Sequence, residues 1–144
     1  ALKIARKLGE EGSIATDLSN IGLVYLAWGQ YDKAMEHYQQ ALKSFRKLGE
    51  ESSIATVLSL IGLTYYNLDQ YDKAILYSRK SIDLIEKIRK TSKGAVRRDY
   101  LASQISTYQF LISTYMDMGE YAKAIEATEQ SRARLLSEQL AGGQ

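Results

Sequence analysis

Between residues 31 and 48 the apolar positions are Tyr31, Ala34, Met35, Tyr38, Ala41, Leu42, Phe45 and Leu48. Steps of three and four draw one stripe on an α-helix. Residues 14–25 repeat the pattern with Ile14, Leu18, Ile21 and Tyr25. The stretch "WGQY" lies between them, and its Gly29 can adopt the left-handed conformation that ends a helix. Gly9 and Gly49 are expected to end the second helix of each pair, with Ser13 and Ser52 or Ser53 as N-caps of the next. Proline is absent, so nothing forbids long uninterrupted helices, and no strand pattern occurs. The unit is helix A, tight turn, helix B.

The unit recurs. "IGLVYLAWGQYDKA" at 21–34 returns as "IGLTYYNLDQYDKA" at 61–74 and, more divergently, as "LISTYMDMGEYAKA" at 111–124. Residues 1–40 laid over 41–80 agree at 24 of 40 positions, so the repeat is genuine. Gly22 and Gly62 leave room where helix A meets helix B, and Ala34 and Ala74 do so from the other side. The tyrosines at 25, 31, 65 and 71 fill the space between. One hairpin cannot bury both its faces, and stacking copies solves that.

Small-Gly-x-x-Tyr followed by Gly-x-Tyr-x-x-Ala resembles the tetratricopeptide repeat (TPR). The likeness runs through Leu18, Ile21, Gly22, Tyr25, Gly29, Tyr31, Ala34, Tyr38 and Ala41. It continues through Leu58, Ile61, Gly62, Tyr65, Tyr71 and Ala74, then Leu111, Tyr115, Gly119, Tyr121 and Ala124. Departures are Asp69 at a turn glycine, Ile112 at a helix glycine, and Ser78, Ser81, Thr128 and Ser131 at apolar or small positions of helix B. The family's usual proline is missing. The 40-residue period is similar to the longer-helix variety of kinesin light chain and many bacterial signalling proteins. The resemblance implies an all-α TPR helical-hairpin solenoid, a right-handed superhelix of antiparallel helix pairs.

The spacing then breaks, because Tyr31 to Tyr71 is 40 residues and Tyr71 to Tyr121 is 50. The extra ten residues lie between about Ile85 and Gln104. They are expected to lengthen helix B of repeat 2 and helix A of repeat 3 around an exposed turn near Thr91–Gly94. Residues 1–8, "ALKIARKL", match 41–48 and read as an orphan helix B. The expected organisation is therefore 1–11 helix B of a truncated preceding repeat, 12–50 TPR 1, 51–94 TPR 2 and 95–144 TPR 3 with its tail. The chain reads as a piece of a longer protein.

Composition narrows the chemistry. Of 144 residues none is cysteine, which removes disulfides, thiol nucleophiles and cysteine-bound metals and leans towards a reducing, cytoplasmic setting. No apolar run reaches the ~20 residues of a membrane span. His37, the only histidine, reads as a solvated helix residue rather than a ligand or base. Ser44 with Lys47 has no cleft around it, and the Glu pairs at 10–11 and 50–51 read as aids to helix starts. Neither an enzyme nor a cofactor or metal protein is expected.

Three features remain as candidate binding chemistry. Lys87, Arg89, Lys90, Lys93, Arg97 and Arg98 place six cations in twelve residues with no acid among them, a pattern that attracts phosphates. A solvated helix extension is the preferred reading, and nucleic-acid binding is not expected. Trp28 could anchor a partner, but Leu68 and Met118 at the same repeat position favour packing beside the turn. The third feature is the concave groove that the family resemblance implies along helices A.

By that resemblance the groove positions are Thr16, Ser19, Asn20, Leu23 and Ala27 in repeat 1, and Thr56, Ser59, Leu60, Leu63, Tyr66 and Asn67 in repeat 2. In repeat 3 they are Ser106, Gln109, Phe110, Ser113, Met116 and Asp117. The set is nearly uncharged, and of the family's carboxylate clamp only Asn20 matches. The implied partner is a protein or peptide, more apolar than acidic. "EQSRARLLSEQLAGG" resembles the stretch that joins TPR arrays to caspase-like CHAT domains, which implies the alternative of a ligand-free spacer or regulatory arm. Apolar residues at the two ends, Leu2, Ile4, Ala5 and Leu8 against Leu135, Leu136 and Leu140, predict self-association, end to end or end into groove, created by truncation rather than by biology, with the N-terminal end the stickier.

Overall fold

The computed structural model describes the backbone of residues 2–91 and 95–142, and the side chains of 2–91 and 104–140. Six helices follow one another: α1 (Leu2–Ala27), α2 (Tyr31–Leu48), α3 (Glu51–Asn67), α4 (Tyr71–Thr91), α5 (Ala95–Asp117) and α6 (Tyr121–Gly142). Consecutive helices pack on one another to form an all-α solenoid.

Three short turns join helices A to helices B, and all use one device. At Gly29, Asp69 and Gly119 the backbone φ is +77°, +58° and +76°. Each of these residues donates its N–H three residues back, and the next residue donates to the carbonyl five back, as from Gln30 to Tyr25, Gln70 to Tyr65 and Glu120 to Tyr115. Gly49, at φ +70°, closes α2 in the same way through Glu50 to Phe45.

Inside the hairpins, small residues admit large ones. Gly22 lies under the buried ring of Tyr38, and Gly62 lies against Ser78. Ala34, Ala74 and Ala124 are buried at the matching positions of helices B. One apolar cluster gathers Tyr38, Leu42, Phe45, Val57, Leu58 and Ile61, and a second gathers Ile82, Tyr108, Leu111 and Tyr115. The Ser81 hydroxyl donates to the Ala55 carbonyl at 2.8 Å, a buried bond from α4 to α3.

The structure departs from the sequence expectations at the N-terminus. Gly9 ends no helix, because α1 runs unbroken through it, and residues 2–11 are the start of α1 rather than a separate helix B. Continuing the helix adds hydrogen bonds, and an interior glycine costs only about 0.5–1 kcal/mol. Ser13 therefore sits inside α1 and caps nothing. At α3 the capping position belongs to Glu50, without a side-chain cap bond, and Ser52 and Ser53 lie in the first turn.

The ten-residue insertion lengthens α4 to 21 residues and α5 to 23, against 18 in α2 and 17 in α3. Residues 92–94, where the turn is expected, lie outside the described residues. The end of α4 is packed rather than free-standing. Ile85 and Ile88 are buried, Arg89 reaches Glu138 on α6 at 2.8 Å, and Glu86 meets Arg134 on α6 at 2.7 Å.

Candidate peptide-binding groove

Helices α3 and α5 run in the same direction, with side chains bridging them at two levels. The Ser59 and Thr107 hydroxyls lie 3.3 Å apart. Farther along, the Tyr66 hydroxyl donates to the Asp117 carboxylate. The Tyr66 ring meets Phe110 edge-on, with ring centres 5.4 Å apart, and leans on Tyr71 at 5.5 Å. The hydrogen bond to Asp117, with burial and the charges of Asp117 and Asp69, pushes the Tyr66 phenol up to about 12. Tyr66 therefore stays a neutral donor at ordinary pH, and its bond offsets the Asp117 carboxylate.

Other groove hydroxyls turn back on their own helices. Thr16 donates to the Gly12 carbonyl, Ser19 to Ala15 and Thr56 to Ser52. The Asn67 amide donates to Leu63 at 2.9 Å. Asn20 and Leu23 are exposed on α1, and Gln109, Ser113 and Met116 are exposed on α5. The structure thus joins Ser59, Tyr66 and Asp117 into one wall, while Asn20 stands apart on α1.

A cleft of about 280 Å³ opens where α3, α4 and α5 meet. Its lining combines the hydroxyls of Ser52, Ser53, Thr56, Ser59, Ser81, Ser106 and Thr107 with the apolar surfaces of Ala55, Leu60 and Ile85. Thr107, Ser81 and Ile85 were not foreseen as part of any site. Their signal lies in the repeat comparison, where Val57, Ala41 and Phe45 hold the equivalent positions one repeat earlier and are all buried. Trimming Phe to Ile and introducing two hydroxyls leaves a polar cleft where the earlier repeat has packed core.

Among the described residues of the basic run, Arg89 and Lys87 are paired with acids. Both terminal nitrogens of Arg89 are engaged, by Glu138 at 2.8 Å and Glu86 at 3.2 Å. Lys87 pairs with Glu51 at 3.3 Å. Lys90 is exposed, Lys93 lies outside the described residues, and so do the side chains of Arg97 and Arg98. Glu86 lies on α4 itself, one turn before Arg89, whereas Glu138 and Glu51 come from α6 and α3, where the local sequence held no sign of them. His37 rests against the Tyr25 ring, centres 5.2 Å apart, and its Nδ1–H donates to the Lys33 carbonyl. No cluster of metal-binding side chains occurs among the described residues, and no described helix is long and apolar enough to cross a membrane.

The profile of the tetratricopeptide repeat family matches residues 1–47 and 18–87. Among solved structures, the chain is similar to BtubC (BKLC) from P. vanneervenii, with a TM-score of 0.76 and 20% identity over 96% of this chain and 54% of that one. The TPR domain of Arabidopsis FLU gives 0.71 at 16% identity, over 88% of this chain and 98% of that domain. Repeats of a Podospora anserina putative kinesin light chain give 0.64 at 20% identity, over 88% and 57%. The chain thus spans about half the length of BtubC and of the kinesin light chain structure. Among curated proteins none matches in sequence. Profile, turn geometry and repeat length agree: the chain belongs to the tetratricopeptide repeat family.

Proposed function

We propose that the chain is a recognition module that holds a neutral, partly apolar segment of a protein or peptide against the exposed faces of α1, α3 and α5. The observation that carries this reading is the wall made by Tyr66, Phe110 and Ser59 beside the hydroxyl-lined cleft. It offers aromatic surface and neutral hydrogen-bonding groups, with the Asp117 carboxylate satisfied from within. Such a surface favours an extended segment with apolar side chains and few acids. An extended segment loses much entropy on ordering, so affinity on the order of micromolar is expected.

A peptide library displayed against the 144-residue chain supplies the test. Neutral sequences with apolar side chains should be enriched, and Asn20→Ala and Tyr66→Ala should each weaken the selected peptide about fivefold or more. Enrichment of acidic sequences, or affinity unchanged in both variants, would place recognition elsewhere.

A further inference from the structure

A second cleft, of about 410 Å³, opens between α4 and α6, which both pack on α5. Arg79, Ile82 and Asp83 line it from α4, Tyr108 from α5, and Ala133 and Arg134 from α6. One repeat earlier, Leu58 and Leu84 hold the positions of Tyr108 and Arg134. Leu58 belongs to the first apolar cluster and Leu84 packs against it. The later repeat thus places a phenol and a guanidinium where the earlier one has hydrocarbon.

Tyr108 is 8% exposed, and its hydroxyl forms no hydrogen bond among the described residues. Burial and the charges of Glu86 and Asp83 raise its pKa against the lowering effect of Arg134 and Arg79, so the phenol stays neutral and can donate. All four of those charged residues line the cleft.

Arg79 and Asp83 stand one turn apart on α4, a spacing at which opposite charges commonly pair. Here they do not. Arg79 instead donates from Nε and Nη2 to the Tyr115 hydroxyl, at 3.2 and 2.8 Å. Neither Arg79 nor Asp83 forms an ion pair among the described residues. Glu86, by contrast, is engaged by Arg89, Arg134 and Gln104. The cleft therefore holds one cation and one anion that are not neutralised, next to a free phenol hydroxyl and the apolar surfaces of Ile82 and Ala133. A ligand with a single charge would be attracted by one of the two residues and repelled by the other. A ligand with both charges is attracted by both.

We infer that this cleft binds a free α-amino acid with a small apolar side chain. The carboxylate lies against the Arg79 guanidinium and the Tyr108 hydroxyl, the ammonium against the Asp83 carboxylate, and the side chain on Ile82 and Ala133. The site shares no residue with the groove on α1, α3 and α5 and stands independently of peptide recognition there.

Titration of the 144-residue chain with glycine, alanine, valine and leucine, followed by calorimetry and amide NMR shifts, tests this. Valine should bind with a dissociation constant on the order of 0.1–1 mM, as suits so small a ligand. The shifts should gather on α4, around Tyr108 and on α6. N-acetylvaline, which lacks the ammonium, and valinamide, which lacks the carboxylate, should each bind about tenfold more weakly or worse. Arg79→Gln and Asp83→Asn should each weaken valine about fivefold or more. Both positions are exposed, and unchanged circular dichroism ties the losses to the site. Absence of binding by all four amino acids at about 20 mM would overturn the inference. Shifts confined to α1 and α3, a derivative that binds as well as valine, or an affinity unchanged in either variant would overturn it too.

Discussion

A β-carbon added to Gly22 would stand 2.6 Å from Cε1 and 2.9 Å from Cδ1 of the Tyr38 ring. The ring is fully buried and cannot swing aside. At Gly62 the equivalent carbon would meet Ser78 Oγ at 3.1 Å and the Ala74 carbonyl oxygen at 3.2 Å. Gly22→Ala should therefore cost roughly 1–3 kcal/mol of stability through overpacking. Gly62→Ala should be near neutral, because a helix gain of about 1 kcal/mol offsets a smaller crowding. Tyr38→Ser alone should cost about 3–5 kcal/mol by emptying the core, and adding Gly22→Ala to it should cost little more, because the clash is gone. Urea unfolding of these chains measures it, and equal costs at both glycines would contradict the difference in packing.

Gly9 and Gly49 make a second comparison. A β-carbon on Gly9 meets nothing within 4 Å, and the residue lies inside α1. Gly49 holds φ +70°. Gly9→Ala should stabilise the chain by roughly 0.5–1 kcal/mol, and Gly49→Ala should destabilise it by about 1–2 kcal/mol. Thermal melts followed by circular dichroism give both signs. Destabilisation by Gly9→Ala would mean that residue 9 turns as residue 49 does.

These two glycines also show where the fold was legible in the sequence and where it was not. "RKLGEE" stands at 6–11 and again at 46–51, yet it is helix in the first place and a turn in the second. After Gly49 the chain gains by turning, since α3 then buries Val57, Leu58 and Ile61 against α2. At Gly9 the helix continues instead, so identical local chemistry yields a different backbone. The same limit applies to the candidate site. Helix A positions and the turn glycines follow from periodicity, but Arg89 finds its acid 49 residues away on α6. The cleft arises from what Ser81, Ile85 and Thr107 lack relative to an earlier repeat.

The Glu86 carboxylate joins the two ends of the second half of the chain. Burial alone would raise its pKa. Hydrogen bonds from Gln104 and Arg89, together with the Arg134 and Arg89 charges, outweigh burial and hold the group below its ordinary value. A carboxyl depressed on folding contributes stability above its unfolded pKa, and this is lost as pH falls through the folded one. Glu86→Gln should cost about 1–3 kcal/mol at pH 7, since it leaves two part-buried guanidinium groups short of a partner. The gap between the native chain and the variant should narrow as pH falls below about 4. Denaturant midpoints recorded across pH provide the check, and a gap that widened in acid would contradict the ion-pair account.

The Gly22–Tyr38 and Gly62–Ser78 contacts have a consequence for how such a chain can change over generations. At the same two positions the third repeat has Ile112 and Thr128. The halves of a hairpin therefore share a fixed allotment of space, divided differently in each copy. Recombination between the near-identical coding segments could easily exchange one half without the other. A hairpin joining α5 to α2 would press Ile112 into the Tyr38 ring, whereas one joining α1 to α6 would set Gly22 against Thr128 much as Gly62 already meets Ser78. Halves of the first two hairpins can therefore be exchanged, because Gly22 and Gly62 each admit either partner, but α5 with its Ile112 can only be inherited apart from α2.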